Sequence, residues 1–230
     1  KDPAIIVEIG SYKGKSTIWL SGGLKNNRNA KLYAVDSHQG SPEFIGEYKK
    51  INTHKEFKKN IERAGFAKIV IPIRKSSLQA AKAVAEKIDI LFIDGSHTYA
   101  AVRNDFLTWS KKIKKGGWII LHDATVLTGP RKVAQKYILR SFNFRRTGML
   151  GSMIYGQYSP AQNFSGKVAV LAQNLFSYLF IISYVIMRKM PFPQSLRRRW
   201  SKRVFRKQIT RKDIFLGTKN YHSCRKFRNP

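Results

Sequence analysis

Residues 5–36 constrain the fold most tightly. An apolar run from Ile5 to Ile9 stops at a glycine-spaced turn, and after a helix-like stretch a second apolar run, Leu32 to Val35, stops at Asp36. A strand feeding Gly10-Ser11-Tyr12-Lys13-Gly14-Lys15-Ser16 and then a helix is the opening of a nucleotide-type βαβ unit, in which the turn lets backbone approach a ligand. Gly10 and Gly14 supply that close approach, and Ser11 and Ser16 in the same turn are further candidate contacts. The spacing is Gly-x-x-x-Gly, not the Gly-x-Gly-x-x-Gly of dinucleotide sites, and an acid, Glu8, sits at the end of the first strand. Such an acid offers an acceptor to a ligand's ammonium group, which a dinucleotide lacks. Asp36 is placed to accept both hydroxyls of a ribose; as a turn or N-cap aspartate it would need no ligand.

The same grammar continues. Apolar runs at Ile69–Ile73, Ile88–Ile93 and Trp118–Leu121 read as buried strands, and Ser16–Leu24, Lys49–Ala64, Leu78–Glu86 and Tyr99–Lys112 as the helices between them. Lys115-Gly116-Gly117 reads as a turn ahead of the last strand. This alternation predicts a doubly wound, Rossmann-like α/β fold, mostly parallel, with helices on both faces and a ligand crevice at the carboxyl ends of the strands. Past Ala124 the pattern weakens to one helix over Pro130–Ser141 and one strand over Ser152–Tyr158. The expected division is an α/β domain over residues 1–160 and an extension over 161–230 made of an apolar helix and a basic tail.

Two strands end in chemistry. Phe92-Ile93-Asp94-Gly95-Ser96-His97-Thr98-Tyr99 and Gly116-Gly117-Trp118-Ile119-Ile120-Leu121-His122-Asp123 put carboxylates and imidazoles side by side at the rim of the crevice, where they invite a divalent cation or a proton-transfer pair. His97 is the candidate general base, or else a cap of the following helix; Asp105, inside that helix, reads as a solvated residue.

Together these motifs, covering residues 5–124, resemble class I S-adenosylmethionine-dependent methyltransferases. In particular they resemble the small-molecule O-methyltransferases that tailor macrolide sugars and cephalosporins, and more distantly the catechol type. The resemblance implies S-adenosylmethionine bound by Glu8, Gly10, Ser11, Gly14, Ser16, Asp36, Asp94 and Ser77, the last near the adenine. It also implies a magnesium ion on Asp94 and Asp123, with His122 as a further candidate ligand; His97, read from its position, and Asp94 are the candidate catalytic residues. One departure stands out: the catechol type has Asn directly after the second metal aspartate, and here Ala124 follows Asp123. The acceptor implied is a small molecule or glycan hydroxyl. Ser76, beside Ser77, and His38, Gln39 and Gly40, in a loop after Asp36, add no mechanism of their own.

Charge divides the chain. The net charge is +31, and while residues 1–124 hold 22 Lys/Arg against 12 Asp/Glu, residues 125–230 hold 22 against Asp213 alone. A surplus of this size attracts a polyanion, either anionic lipid or nucleic acid. Val168–Met187 is an uncharged stretch of 20 residues, long enough to cross a bilayer. A single crossing would export the basic tail from a cytoplasmic domain, against the positive-inside tendency. An interfacial or re-entrant helix on the cytoplasmic face of a membrane, with Gln173, Asn174 and Ser177 on one arc, suits it better. Such a tail would make a lipid-linked glycan a sensible acceptor. The same stretch could instead pack on the domain or in a homo-oligomer interface. Arg197-Arg198-Arg199-Trp200, Lys202-Arg203 and Phe205-Arg206-Lys207 support a competing reading, a nucleic-acid-binding protein or RNA methyltransferase. A third reading is a decayed domain serving as a scaffold, which the intact acids oppose. Cys224, the lone cysteine, excludes an internal disulfide and fits a reducing compartment. The opening on Lys1, close to the first strand, leads one to expect a preceding segment.

Overall fold

Each of the five apolar runs forms a strand. The structure, a computed structural model, describes residues 3–27, 29–40 and 52–189, with backbone only for the last three. Strands β1 (Ile5–Ile9), β2 (Lys31–Val35), β3 (Val70–Ile73), β4 (Ile88–Ile93) and β5 (Ile113–Leu121) alternate with helices α1 (Lys15–Gly23), α2 (His54–Arg63), α3 (Ser77–Ala83) and α4 (Tyr99–Trp109). All four pairings among these strands are parallel. After β5 come α5 (Thr128–Ala134), a π-helical turn over Gln135–Leu139, β6 (Phe144–Leu150), β7 (Met153–Tyr158) and α6 (Phe164–Lys189). The seven strands run in the order β3-β2-β1-β4-β5-β7-β6, with β7 antiparallel to both neighbours. The direction of winding switches between β1 and β4, which places the crevice at their carboxyl ends.

Burial follows the two-residue period of the strands. Ile5, Val7 and Ile9 join Leu91, Ile93, Phe106, Trp109 and Ile119 in the larger core, while Ile6 joins Leu32, Ala34, Phe57 and Ile61 under α1 and α2. Glu8 falls on the same side as Ile6, so it points beneath α1. All five residues of β1 are buried, as a strand covered on both faces requires.

Three local expectations change. The glycine turn at Lys115–Gly117 lies within β5, whose register against β4 breaks between Ile88 and Ile90. There Lys114 pairs with Asp89, whose carboxylate also accepts from the Ile5 amide at 2.8 Å. Strand β6 is an addition to the predicted elements. Asp105 is buried, not solvated, 8% exposed on α4.

Helix α6 packs on the α/β unit, whose contacts extend to Ile186. Val170 and Ile181 are each 1% exposed. Asn174 Nδ2 donates to the carbonyls of Ser141 (3.2 Å) and Phe144 (3.0 Å), and its Oδ1 accepts from the Thr147 hydroxyl at 2.8 Å. Ser177 donates to the Thr147 carbonyl at 2.8 Å. The polar arc expected to face a membrane's headgroups is therefore divided: Asn174 and Ser177 dock onto β6, and Gln173 alone stays exposed. Asn174→Ala leaves two carbonyls and a hydroxyl short of a buried partner, and should weaken this docking by about 1–3 kcal/mol. The expected readout is faster amide hydrogen exchange across residues 164–186, with the strands unaffected. At the opposite edge of the sheet, β3 contains Pro72, which has no N–H to offer.

Candidate functional site

The turn after β1 is shaped by contact with β4. Gly10 has φ +89°, and a Cβ placed there would lie 2.2 Å from the Asp94 carbonyl oxygen and 2.7 Å from Gly95 Cα. Only glycine lets the two loops cross at this distance. Gly14, with φ +88°, then starts α1. Three non-glycine residues hold left-handed backbone at the carboxyl ends of β1, β2 and β5: Tyr12 (φ 46°), His38 (φ 59°) and Asp123 (φ 51°). Such conformations cluster where a site fixes backbone against its preference.

Asp36 ties two of these loops together. Its Oδ2 accepts from the Tyr12 amide and its Oδ1 from the His38 amide, both at 2.7 Å. Each carboxylate oxygen keeps a further lone pair, so the group still fits a ribose diol. His38 does not open onto the crevice. It is buried, its Nδ1 lies 2.9 Å from Thr53 Oγ1, and its ring packs on His54 and Phe57; burial lowers its pKa. Gln39 follows it as an exposed residue, and Gly40 has left-handed backbone.

Glu8 is fully buried beneath α1, where the Thr17 hydroxyl donates to its Oε2. Burial pushes its pKa up to about 7, while the Ser16, Thr17 and Ser11 hydroxyls pull it down and Asp94 adds to the rise. Its Oε1 meets no hydrogen-bond donor in good geometry among the described residues. An orphaned acceptor beside the crevice fits a ligand carrying an ammonium group. Ser77 stands apart from this group. It opens α3, and its hydroxyl accepts from Trp109 Nε1 at 2.8 Å and hydrogen-bonds Asp105. Neighbouring Ser76 caps α3, in a reciprocal pair with Gln79.

Four predicted residues converge at the ends of β4 and β5. His97 Nε2 is 3.7 Å from Asp123 Oδ2, and His122 Nδ1 is 2.9 Å from Asp94 Oδ1 and 3.5 Å from Asp123 Oδ1. Thr98, not His97, caps α4, with its hydroxyl accepting from the Ala101 amide at 3.3 Å. The hydrogen bond that His122 donates to Asp94 raises the pKa of His122; partial burial opposes it, and the Asp123 charge reinforces it.

Donor atoms of Asp94, His97 and Asp123 lie within 4.8 Å of one another. Magnesium favours six oxygen ligands, and the oxygen an Asn would supply is missing because Ala124, fully buried, takes that place. Two carboxylates with an imidazole suit manganese, iron or zinc better. The donor set thus fits a divalent transition ion and departs from the expected magnesium shell.

A family model described as a methyltransferase domain matches residues 7–124, just over half of the chain. The chain belongs to this methyltransferase family. Every residue of the convergent cluster and of the β1 turn lies inside the match. Among curated relatives, the uncharacterized protein R132 of Acanthamoeba polyphaga mimivirus is 33% identical over 126 residues, 54% of the methyltransferase and 52% of that protein. The uncharacterized protein y4gI of Sinorhizobium fredii is 28% identical over 162 residues, 67% of the methyltransferase but 17% of that protein. The methyltransferase therefore spans about half the length of the first and a far smaller share of the second. Among solved structures, the O-methyltransferase NovP superposes with a TM-score of 0.58 at 19% identity, covering 68% of the methyltransferase and 72% of NovP. A Bacillus cereus O-methyltransferase in complex with SAH gives 0.51 at 20% identity, covering 67% and 74%. At these identities the likeness is one of fold: the chain has the Rossmann-like architecture of these structures.

Proposed function

We propose that this methyltransferase transfers the methyl group of S-adenosylmethionine to a hydroxyl of a sugar or another small polar acceptor. The observation that carries the reading is the crevice at the switch point. There Asp36, the Gly10 turn and the orphaned Glu8 oxygen offer a ribose, a close-approach and an ammonium site beside the Asp94–His97–His122–Asp123 cluster.

The chemistry asks little covalent help of the protein. The acceptor oxygen attacks the methyl carbon in line with the departing sulfur; the C–O bond forms as the C–S bond breaks, and S-adenosylhomocysteine leaves neutral at sulfur. The hydroxyl proton passes to the His97 imidazole, with the Asp123 carboxylate 3.7 Å away to steady the imidazolium that forms. Alignment of donor and acceptor supplies most of the remaining acceleration. A divalent ion on Asp94 and Asp123 would lower the acceptor's pKa. With or without an ion the two carboxylates orient the acceptor, and His97 receives its proton where the ion is held without that imidazole.

Calorimetric titration of S-adenosylmethionine tests the reading. Wild-type protein should bind it, and Asp36→Ala should bind at least tenfold more weakly, since it loses both a diol acceptor and the tie between the β1 and β2 loops. The titration is repeated with magnesium and with manganese, and only manganese should alter the heat of binding. Absence of binding in the wild type would overturn the assignment. The nucleic-acid reading rests on residues 197–207, which lie outside the described residues.

A further inference from the structure

We propose that the exposed face of α6 is a docking surface for an anionic lipid membrane, on which the protein lies peripherally. The inference does not depend on the methyl-transfer reading. Helix α6 has one side fixed to protein by Val170, Asn174, Ser177 and Ile181. On the other side Phe164, Val168, Leu171, Leu175, Leu179 and Ile186 are all exposed, from 43% at Leu171 to 81% at Phe164. At 100° per residue these six fall within a band about 80° wide, an apolar stripe running the length of the helix, and Phe176, 76% exposed, widens the apolar face to about 140°.

Phe164–Ile186 has the length and hydropathy of a membrane span, with a mean hydropathy of 1.7 over its most apolar window. Docking excludes that use of it. A helix bonded sideways to β6 through Asn174 and Ser177 cannot cross hydrocarbon without drawing the sheet in with it, and the polar edges of a sheet are not tolerated there. A helix held parallel to a protein face with its outer side apolar can instead lie in the plane of the interface.

Charge selects the lipid over a second copy of the chain. From Ala124 to Lys189 there is no Asp or Glu. Arg140 reaches α6 directly, donating to the Tyr178 hydroxyl at 2.9 Å and stacking over its ring. Lys132, Lys136 and Arg140 line one shallow groove on the α5 side. The chain then continues into residues 188–230, with 15 Lys/Arg against Asp213. Two copies joined along the stripe would bring Arg140 and its basic neighbours toward their equivalents, whereas anionic headgroups neutralise them.

The test uses the full chain, sedimented with vesicles of phosphatidylcholine alone or of phosphatidylcholine with phosphatidylserine. Partition should be at least tenfold higher on the phosphatidylserine vesicles and should fall as salt is raised. The double substitution Leu171→Glu/Leu175→Glu should lower it at least tenfold with the thermal midpoint unchanged. If that variant unfolds early, Leu175→Ser is the gentler substitute and should still weaken binding severalfold. Equal partition on both vesicles, or partition untouched by these variants, overturns the proposal. So does a dimer in light scattering that the variants split while no protein sediments with vesicles; the stripe's occupant is then a second copy. Retention by RNA without vesicle binding overturns it as well, and assigns the basic run to nucleic acid.

Discussion

Gly10→Ala should destabilise the protein by about 3 kcal/mol or more and remove binding of S-adenosylmethionine. Two effects add. The backbone there has φ +89°, where a Cβ is strained whatever the space around it, and the new methyl would sit 2.2 Å from a backbone oxygen, that of Asp94. A flexible side chain could move aside; the end of β4 cannot, because the Asp94 amide is itself bonded to the Ile9 carbonyl at 2.8 Å. Relief therefore requires β1 and β4 to part at the switch point, where the crevice begins. Gly22→Ala is the matched control. Its Cβ would meet nothing within 4 Å on helix α1, so it should stabilise the fold by about 0.5–1 kcal/mol. Urea unfolding of the two variants beside wild type separates the effects, and a Gly10→Ala protein as stable as wild type would contradict the crossing described.

Asp105→Asn should stabilise the protein at pH 8, by up to about 3 kcal/mol, and leave its stability at pH 4 nearly unchanged. Burial raises the pKa of Asp105 to about 6 from an ordinary 3.8, with the Ser77 hydroxyl pulling it partly back. A raised pKa means that the folded state holds the proton more tightly than the unfolded chain. The stability this contributes is complete below pH about 4, is lost as pH climbs toward about 6, and is absent above that. Asparagine mimics the neutral acid and keeps an oxygen for Ser77, so the variant escapes the loss. Unfolding free energies of the two proteins should coincide near pH 4, separate between about pH 4 and pH 6, and keep a constant gap from there to pH 8. Parallel curves would place Asp105 in contact with solvent.

Residues 5–124 were legible because period and punctuation agree there. Buried parallel strands read as apolar runs, and three of the five end directly at a glycine or an acid on the rim: Gly10, Asp36 and Asp94. The convergence of Asp94, His97, His122 and Asp123 followed from topology alone, since β4 and β5 are neighbours in a sheet of this winding. What sequence could not show was direction around a helix or across a turn. Asp105 looks solvated by residue type, yet Val102, Phe106 and Trp109 on the same helix carry it inward. Ser77 stands near the expected adenine position, but a Trp109 indole more than 30 residues away takes its hydroxyl. Strand β6 escaped notice because Arg145-Arg146-Thr147-Gly148 interrupts its apolar pattern, as an edge strand's outward face permits. Asn174 and Ser177 gave a polar arc without saying whether protein or headgroups would satisfy it; the carbonyls of the segment leading into β6 settled that.

Both margins of the sheet are closed to further strands. At β3, Pro72 interrupts the row of amides that an incoming strand would read, and at β6 the side chains of Asn174 and Ser177 already occupy backbone carbonyls. Continuation of the sheet from one molecule into the next is thus blocked at either end. A chain this rich in β-branched apolar residues can therefore be concentrated, on a surface or in solution, without offering its neighbours a template for cross-strand aggregation.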